Sequence, residues 1–201
     1  MNLQLLRALA GSGSVIAIYT ARMIELRTKR DIVAGVVKES VTLRLFTAIG
    51  TAMVVGSLVE FALRGWSLNP ALFVIGWICA LSSFAIRRRA IHALGRFWSL
   101  HVEIRDAHEF VRSGPFRWVR HPTYLSMILE LLAVGLILNA FVALGIALLA
   151  FGPVLAARIK LEEGALVEKF GASYIDFQKS TPLLFPWHPW SGRRNRPGSG
   201  G

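Results

Sequence analysis

His121, Tyr124, Arg158, Glu162 and Glu163 are residues whose types and spacing could do chemistry. Pro122 suits the first turn of a helix, where its missing N–H costs nothing. His121 and Tyr124, three apart, then lie on one helical face. Such a pair can hydrogen-bond a polar ligand and stack on an aromatic one. Arg158 and Glu162 are four apart with Glu163 adjacent, so they share a face as well, and an arginine can grip a carboxylate bidentately. On spacing alone, both sets also fit a membrane interface, as an aromatic belt with basic anchors and a salt bridge between snorkelling side chains.

The elements that carry these residues are apolar. Of the 201 residues, 54% are hydrophobic and 17% charged, too hydrophobic for intrinsic disorder. Cys79 is the single cysteine, which excludes an intrachain disulfide and any Cys-based zinc or iron–sulfur cluster; no metal centre is expected. Residues 45–63 hold one charge, Glu60, and residues 70–86 hold none. Residues 122–157 hold only Glu130. One helix of that length would reach ~54 Å against a hydrocarbon core of ~30 Å, so the run must fold back. Asn139 is the expected tip, between spans at about 122–138 and 140–157. Residues 8–21 are uncharged, short and rich in Gly and Ser. The expected fold is therefore an all-α integral membrane protein of about five transmembrane helices, ending in a helical hairpin.

The net charge of +11 falls at the membrane flanks. If residues 1–21 span, all of the 23 basic residues except Arg7 and Arg64 lie on one side. The positive-inside rule makes that side cytoplasmic. The basic residues are spread over three segments with no nucleic-acid-binding motif to organise them, so they read as topology determinants and contacts for anionic lipids. Residues 87–121 form a polar connection too long for a plain turn, and such loops are often functional. Glu130 lies inside a span, where a carboxylate is costly and expected to be functional or partnered by an arginine. Residues 191–201 are expected to be a disordered tail.

The stretch from His108 to Tyr124, HEFVRSGPFRWVRHPTY, resembles the signature of the isoprenylcysteine carboxyl methyltransferase family. That signature places a histidine before a Gly-Pro/Val-Tyr turn and an Arg-His-Pro-x-Tyr sequence. A second block is similar too: Arg158-x-x-x-Glu162-Glu163-x-x-Leu166, then Phe170-Gly171, Tyr174 and a Pro-rich segment through Pro186. The resemblance covers residues 95–187. Phe116 stands where tyrosine is usual, and Leu125-Ser126 follow the tyrosine where glycine is frequent; these departures bear on the acceptor more than on the methyl donor.

The resemblance implies a membrane enzyme that uses S-adenosylmethionine without the soluble Rossmann fold, and no G-x-G-x-x-G strand–helix motif is present. It implies N-terminal transmembrane helices over 1–94 and a methyltransferase core over 95–190, with a cofactor pocket facing the cytoplasm. The cofactor residues carried over are His108, the backbone around Val111 and Gly114, then His121, Tyr124 and Glu162. Arg158, with Glu162 and Glu163, is assigned to catalysis, the arginine orienting an acceptor carboxylate. The expected acceptor is an isoprenylcysteine or similar lipid-like carboxylate entering from the bilayer, and the Ala/Arg-rich composition points to a bacterial inner membrane. N-methylation of a phospholipid amine, O-methylation of a lipidic phenol, and a non-enzymatic lipid-binding scaffold are the alternatives.

Overall fold

Two asparagines begin and close the pair of helices around which the molecule is built. Asn69 caps α3 (Pro70–Leu94): its side-chain oxygen accepts from the amides of Ala71 and Leu72 at 3.0 and 3.3 Å, with proline at the first helical position. Asn139 follows α4 (Pro122–Ile137) with φ of 53°. The Ala140 amide reaches back to the Gly135 carbonyl and the Asn139 amide to that of Leu136, the pairing that ends a helix through one left-handed residue. Asn139 tolerates that conformation better than a branched residue would, so the chain reverses at this point into α5 (Phe141–Phe170).

The computed structural model describes residues 2–27, 36–39, 41–95, 102–104 and 111–186. Its remaining elements are α1 (Leu3–Arg27), strand β1 (Val36–Glu39), α2 (Val41–Leu63), strand β2 (Val102–Ile104) and α6 (Ala172–Ser180). A short 3-10 turn covers Gly114–Arg117. The fold is a bundle of apolar helices, and α2, α3 and α5 are each long and apolar enough to cross a membrane. The shorter α4 is apolar as well, whereas α1 is not among those three. The chain is an integral membrane protein.

Helix α3 runs antiparallel along α4. Gly76 faces Ile137 at one end, and at the other Ser83 donates to the Ser126 carbonyl at 2.7 Å. A Cβ on Gly76 would stand 2.9 Å from the Ile137 nitrogen and 3.0 Å from the Ala133 oxygen; this is a backbone-to-backbone contact that only glycine permits. Helix α2 runs antiparallel to α5, with Phe46 and Phe151 ring centroids 4.9 Å apart. At the Asn139 end of the bundle, Glu60 of α2 accepts from the Val142 and Ala143 amides at 3.3 and 2.9 Å. Ala140 offers α5 no side-chain cap, so a neighbouring helix supplies the acceptor that the orphan amides require.

Several sequence expectations change in detail. Helix α3 continues to Leu94, so Arg87, Arg88 and Arg89 lie on a helix and not in the connection. Helix α5 runs well past residue 157, to Phe170. At 30 residues it would extend ~45 Å, beyond the ~30 Å core, which carries its polar last turns out of the apolar layer. An antiparallel two-stranded ribbon, β1 with β2, was not foreseen. The tail at 191–201 lies outside the described residues.

Candidate active site

Tyr124 lies in the first turn of α4, two residues after Pro122 of the Arg120-His121-Pro122 run, and the facing helix α5 brings Arg158 and Glu162 to it. The tyrosine hydroxyl donates to Glu162 Oε2 at 2.5 Å and accepts from Arg158 Nε at 3.2 Å. Arg158, only 5% exposed, also donates from Nη1 to the Thr42 hydroxyl at 2.9 Å. Phe46, one turn beyond Thr42 on α2, packs 6.4 Å from the Tyr124 ring and, with Phe151, closes the apolar side.

Glu162 and Glu163 point to different partners because adjacent helical residues face about 100° apart. The Glu162 side chain keeps 36% of its exposure. The Glu163 side chain, at 17%, is taken up within the protein. One of its oxygens meets His121 Nε2 at 3.0 Å and Arg120 Nη1 at 2.9 Å, and the other accepts from Gln178 of α6 at 2.9 Å. Tyr174 of α6 hydrogen-bonds Glu163 as well; burial first, then the Glu163 and Glu162 charges, push its phenol above its ordinary pKa. The His121 ring, 3% exposed, stacks on Tyr124 at 5.4 Å and 27°. The segment after α6 fixes the backbone here: the Arg120 and His121 amides donate to the Pro182 and Leu183 carbonyls at 2.9 and 3.1 Å.

The structure thus joins five residues expected from the sequence: His121, Tyr124, Arg158, Glu162 and Glu163. Gly114 opens the 3-10 turn with φ of 60° and packs on Ala93 of α3. It and the half-buried Val111 lie in the segment before α4, outside this side-chain network. His108 is outside the described residues. Of the two glutamates, Glu162 is the one linked through Tyr124 to Arg158, while Glu163 joins the His121–Arg120–Gln178 set, since its helical position turns it towards α6. Thr42 and Gln178 were missed. Neither belongs to a local motif, and Thr42 is 116 residues from the arginine it touches. Among the described residues, no group of three or more His, Cys, Asp or Glu side chains could hold a metal ion.

A second buried polar centre lies on a different face of α4. Arg22 of α1 donates to Glu130 of α4 from Nε at 3.0 Å and Nη2 at 2.6 Å, to Ser83 at 3.1 Å, and to Glu25. Arg87 approaches Glu25 at 3.8 Å. The intramembrane carboxylate expected at Glu130 is therefore an arginine partner in the bundle.

A bundle of apolar helices whose polar residues converge at one end of a helical hairpin defines a class of integral membrane proteins. Residues 74–168 match the isoprenylcysteine carboxyl methyltransferase (ICMT) family. An uncharacterized protein of Bacillus subtilis, YpbQ, is 33% identical over 44% of this chain and 52% of its own length. Protein-S-isoprenylcysteine O-methyltransferase of Xenopus laevis is 30% identical over 58% of this chain and 41% of its own. The solved structure of the eukaryotic intramembrane Ras methyltransferase ICMT superposes with a TM-score of 0.61 at 28% identity, covering 68% of this chain and 52% of that one. The chain spans about half the length of the curated relatives it matches.

Proposed function

We propose that this chain is a membrane-embedded, S-adenosylmethionine-dependent methyltransferase that O-methylates the carboxylate of an isoprenylcysteine or similar lipid-like acceptor. The observation that carries this reading is the Arg158–Tyr124–Glu162 linkage at the polar end of the bundle, within the family-matched segment. The donor set fits the cofactor's charges. Glu162 offers a part-exposed carboxylate for an ammonium group. The buried Arg120 Nε, which has no hydrogen-bond partner among the described residues, is suited to a carboxylate. Glu162, His121, Tyr124, Gly114 and the Val111 backbone would hold the methyl donor, with His108 assigned to the same group.

When bound, S-adenosylmethionine supplies an electrophilic methyl group on a sulfonium. An acceptor carboxylate is already ionised at pH 7, so the chain needs no strong general base. Arg158 would orient that carboxylate through its planar fork. Tyr124 couples this arginine to Glu162, so the acceptor and donor sides keep a fixed relation. Phe46, Phe151 and Ile159 keep water from the apolar side. Glu163, held by His121, Arg120 and Gln178, acts as a positioning residue for the imidazole.

Five spans, α1 to α5, are proposed, with the site facing the cytoplasm of a bacterial inner membrane. The Arg22–Glu130 pair, which holds α1 against α4, and the basic residues at the site end support this topology. The test is methyl transfer by the purified full chain in lipid nanodiscs, with isotopically labelled S-adenosylmethionine and mass-spectrometric detection. Acceptors would be an N-acylated S-farnesylcysteine, phosphatidylethanolamine and a long-chain phenol. The expected product is a methyl ester on the first. Methylation confined to the amine or the phenol, or no transfer to any acceptor, would refute the reading.

A further inference from the structure

Thr42 belongs to none of the motifs and lies outside residues 74–168. It sits in the first turn of α2, 7% exposed, and its hydroxyl accepts from Arg158 Nη1 at 2.9 Å. Arg158 Nε is fixed separately by the Tyr124 hydroxyl at 3.2 Å. Two nitrogens of the planar fork are thereby tied to two different helices, α2 and α4, while the arginine itself stands on α5. A guanidinium held at two nitrogens cannot swing about its long side chain, which is otherwise rich in rotamers. These two partners are hydroxyls, which orient the cation and carry no charge of their own; a carboxylate at residue 42 would add a negative charge beside it. One turn on, Phe46 packs against Phe151 and Tyr124 and fixes the register of α2 beside the site.

We propose that Thr42 is a positioning residue whose hydroxyl aims the Arg158 guanidinium at the acceptor's carboxylate, so that α2 sets the preference for an anionic acceptor. This rests on the acceptor role given to Arg158 above. Valine matches threonine in shape and lacks the hydroxyl, whereas serine keeps the hydroxyl and loses the methyl. Thr42→Val should therefore remove this hydrogen bond to the fork with the packing kept, and Thr42→Ser should retain it.

The experiment compares the wild-type full chain with Thr42→Val and Thr42→Ser in nanodiscs. Affinity is measured for an N-acylated S-farnesylcysteine, for its carboxamide, which matches it except for the charge, and for S-adenosylmethionine; turnover of the acid is measured alongside. The wild type should bind the acid more tightly than the carboxamide. In Thr42→Val the acid should weaken about 5–10-fold, the loss expected for one ordinary hydrogen bond, with carboxamide and S-adenosylmethionine affinities unchanged. Turnover of the acid at saturation should also fall, and Thr42→Ser should restore both. Equal weakening of acid and carboxamide, a Thr42→Val protein that keeps the wild-type preference, or a Thr42→Ser protein as poor as valine would each overturn the positioning role alone. A wild type with no preference for the acid would overturn the acceptor role of Arg158, and this inference with it.

Discussion

Two arginines are buried against different faces of α4, and their surroundings differ. Arg22 is held by carboxylates from two helices, Glu25 and Glu130, with Ser83 added. Among the described residues, the charges of that centre, Arg22 and Arg87 against Glu25 and Glu130, sum to zero, and these side chains are largely enclosed. Arg158 shares its guanidinium with the hydroxyls of Thr42 and Tyr124, and the chain of contacts leads to Glu162, the more exposed of the two adjacent glutamates. The first is a closed joint between helices. The second ends on a part-exposed carboxylate, where the charges of the proposed ligand would enter. A buried arginine thus marks either a fastening or a site, and the exposure of the last group in its network tells them apart.

The largest expected effect breaks the closed joint. Arg22→Ala leaves Glu130 and Glu25 facing a gap in an apolar bundle, and loss of one partner of a buried pair costs about 3–5 kcal/mol. Thermal unfolding in detergent should show it, and the double variant Arg22→Met/Glu130→Met should recover much of the loss. Turnover per folded molecule should stay near wild type in that double variant. A double variant no better than the single would mean that the pair does more than fasten α1.

At the open site the effect moves from stability to rate. Arg158→Ala should cut turnover about 10²-fold through lost orientation while S-adenosylmethionine affinity, read by calorimetry, stays within a few-fold. Arg158→Lys should recover little, since an ammonium does not reproduce the planar fork. Tyr124→Ala should weaken S-adenosylmethionine binding by ~1–3 kcal/mol, the scale of a lost stacked or hydrogen-bonded contact. Loss of cofactor binding in Arg158→Ala as complete as in Tyr124→Ala would assign the arginine to the cofactor side.

The smallest effect is a pH dependence at α6. The folded-state pKa of Tyr174 is raised, so the neutral phenol is favoured in the folded protein. Its contribution to stability is fully present below the unfolded pKa of about 10 and is lost as pH rises above it. Unfolding temperatures measured from pH 8 to 11 should therefore fall at the alkaline end, and Tyr174→Phe should flatten that limb. An unchanged limb in the variant would show that Tyr174 is not the group responsible.

What the sequence determined by itself was local or compositional. A run of apolar residues with one charge, too long for a single crossing of a bilayer, dictates helices and a reversal, and Asn139 was the polar residue able to make it. Pro122 marked the start of α4, and helical spacing placed His121 beside Tyr124 and Arg158 near Glu162. Tertiary structure decided how these faces meet. The division of labour between Glu162 and Glu163 depends on α6, whose Gln178 and Tyr174 draw Glu163 away. The partner of Glu130 comes from α1, 108 residues earlier in the chain. Thr42 had no spacing to betray it, because helical periodicity relates neighbours within a turn or two. Which residue of one helix touches which residue of another is set by packing, through contacts such as Gly76 on Ile137 and Phe46 on Phe151.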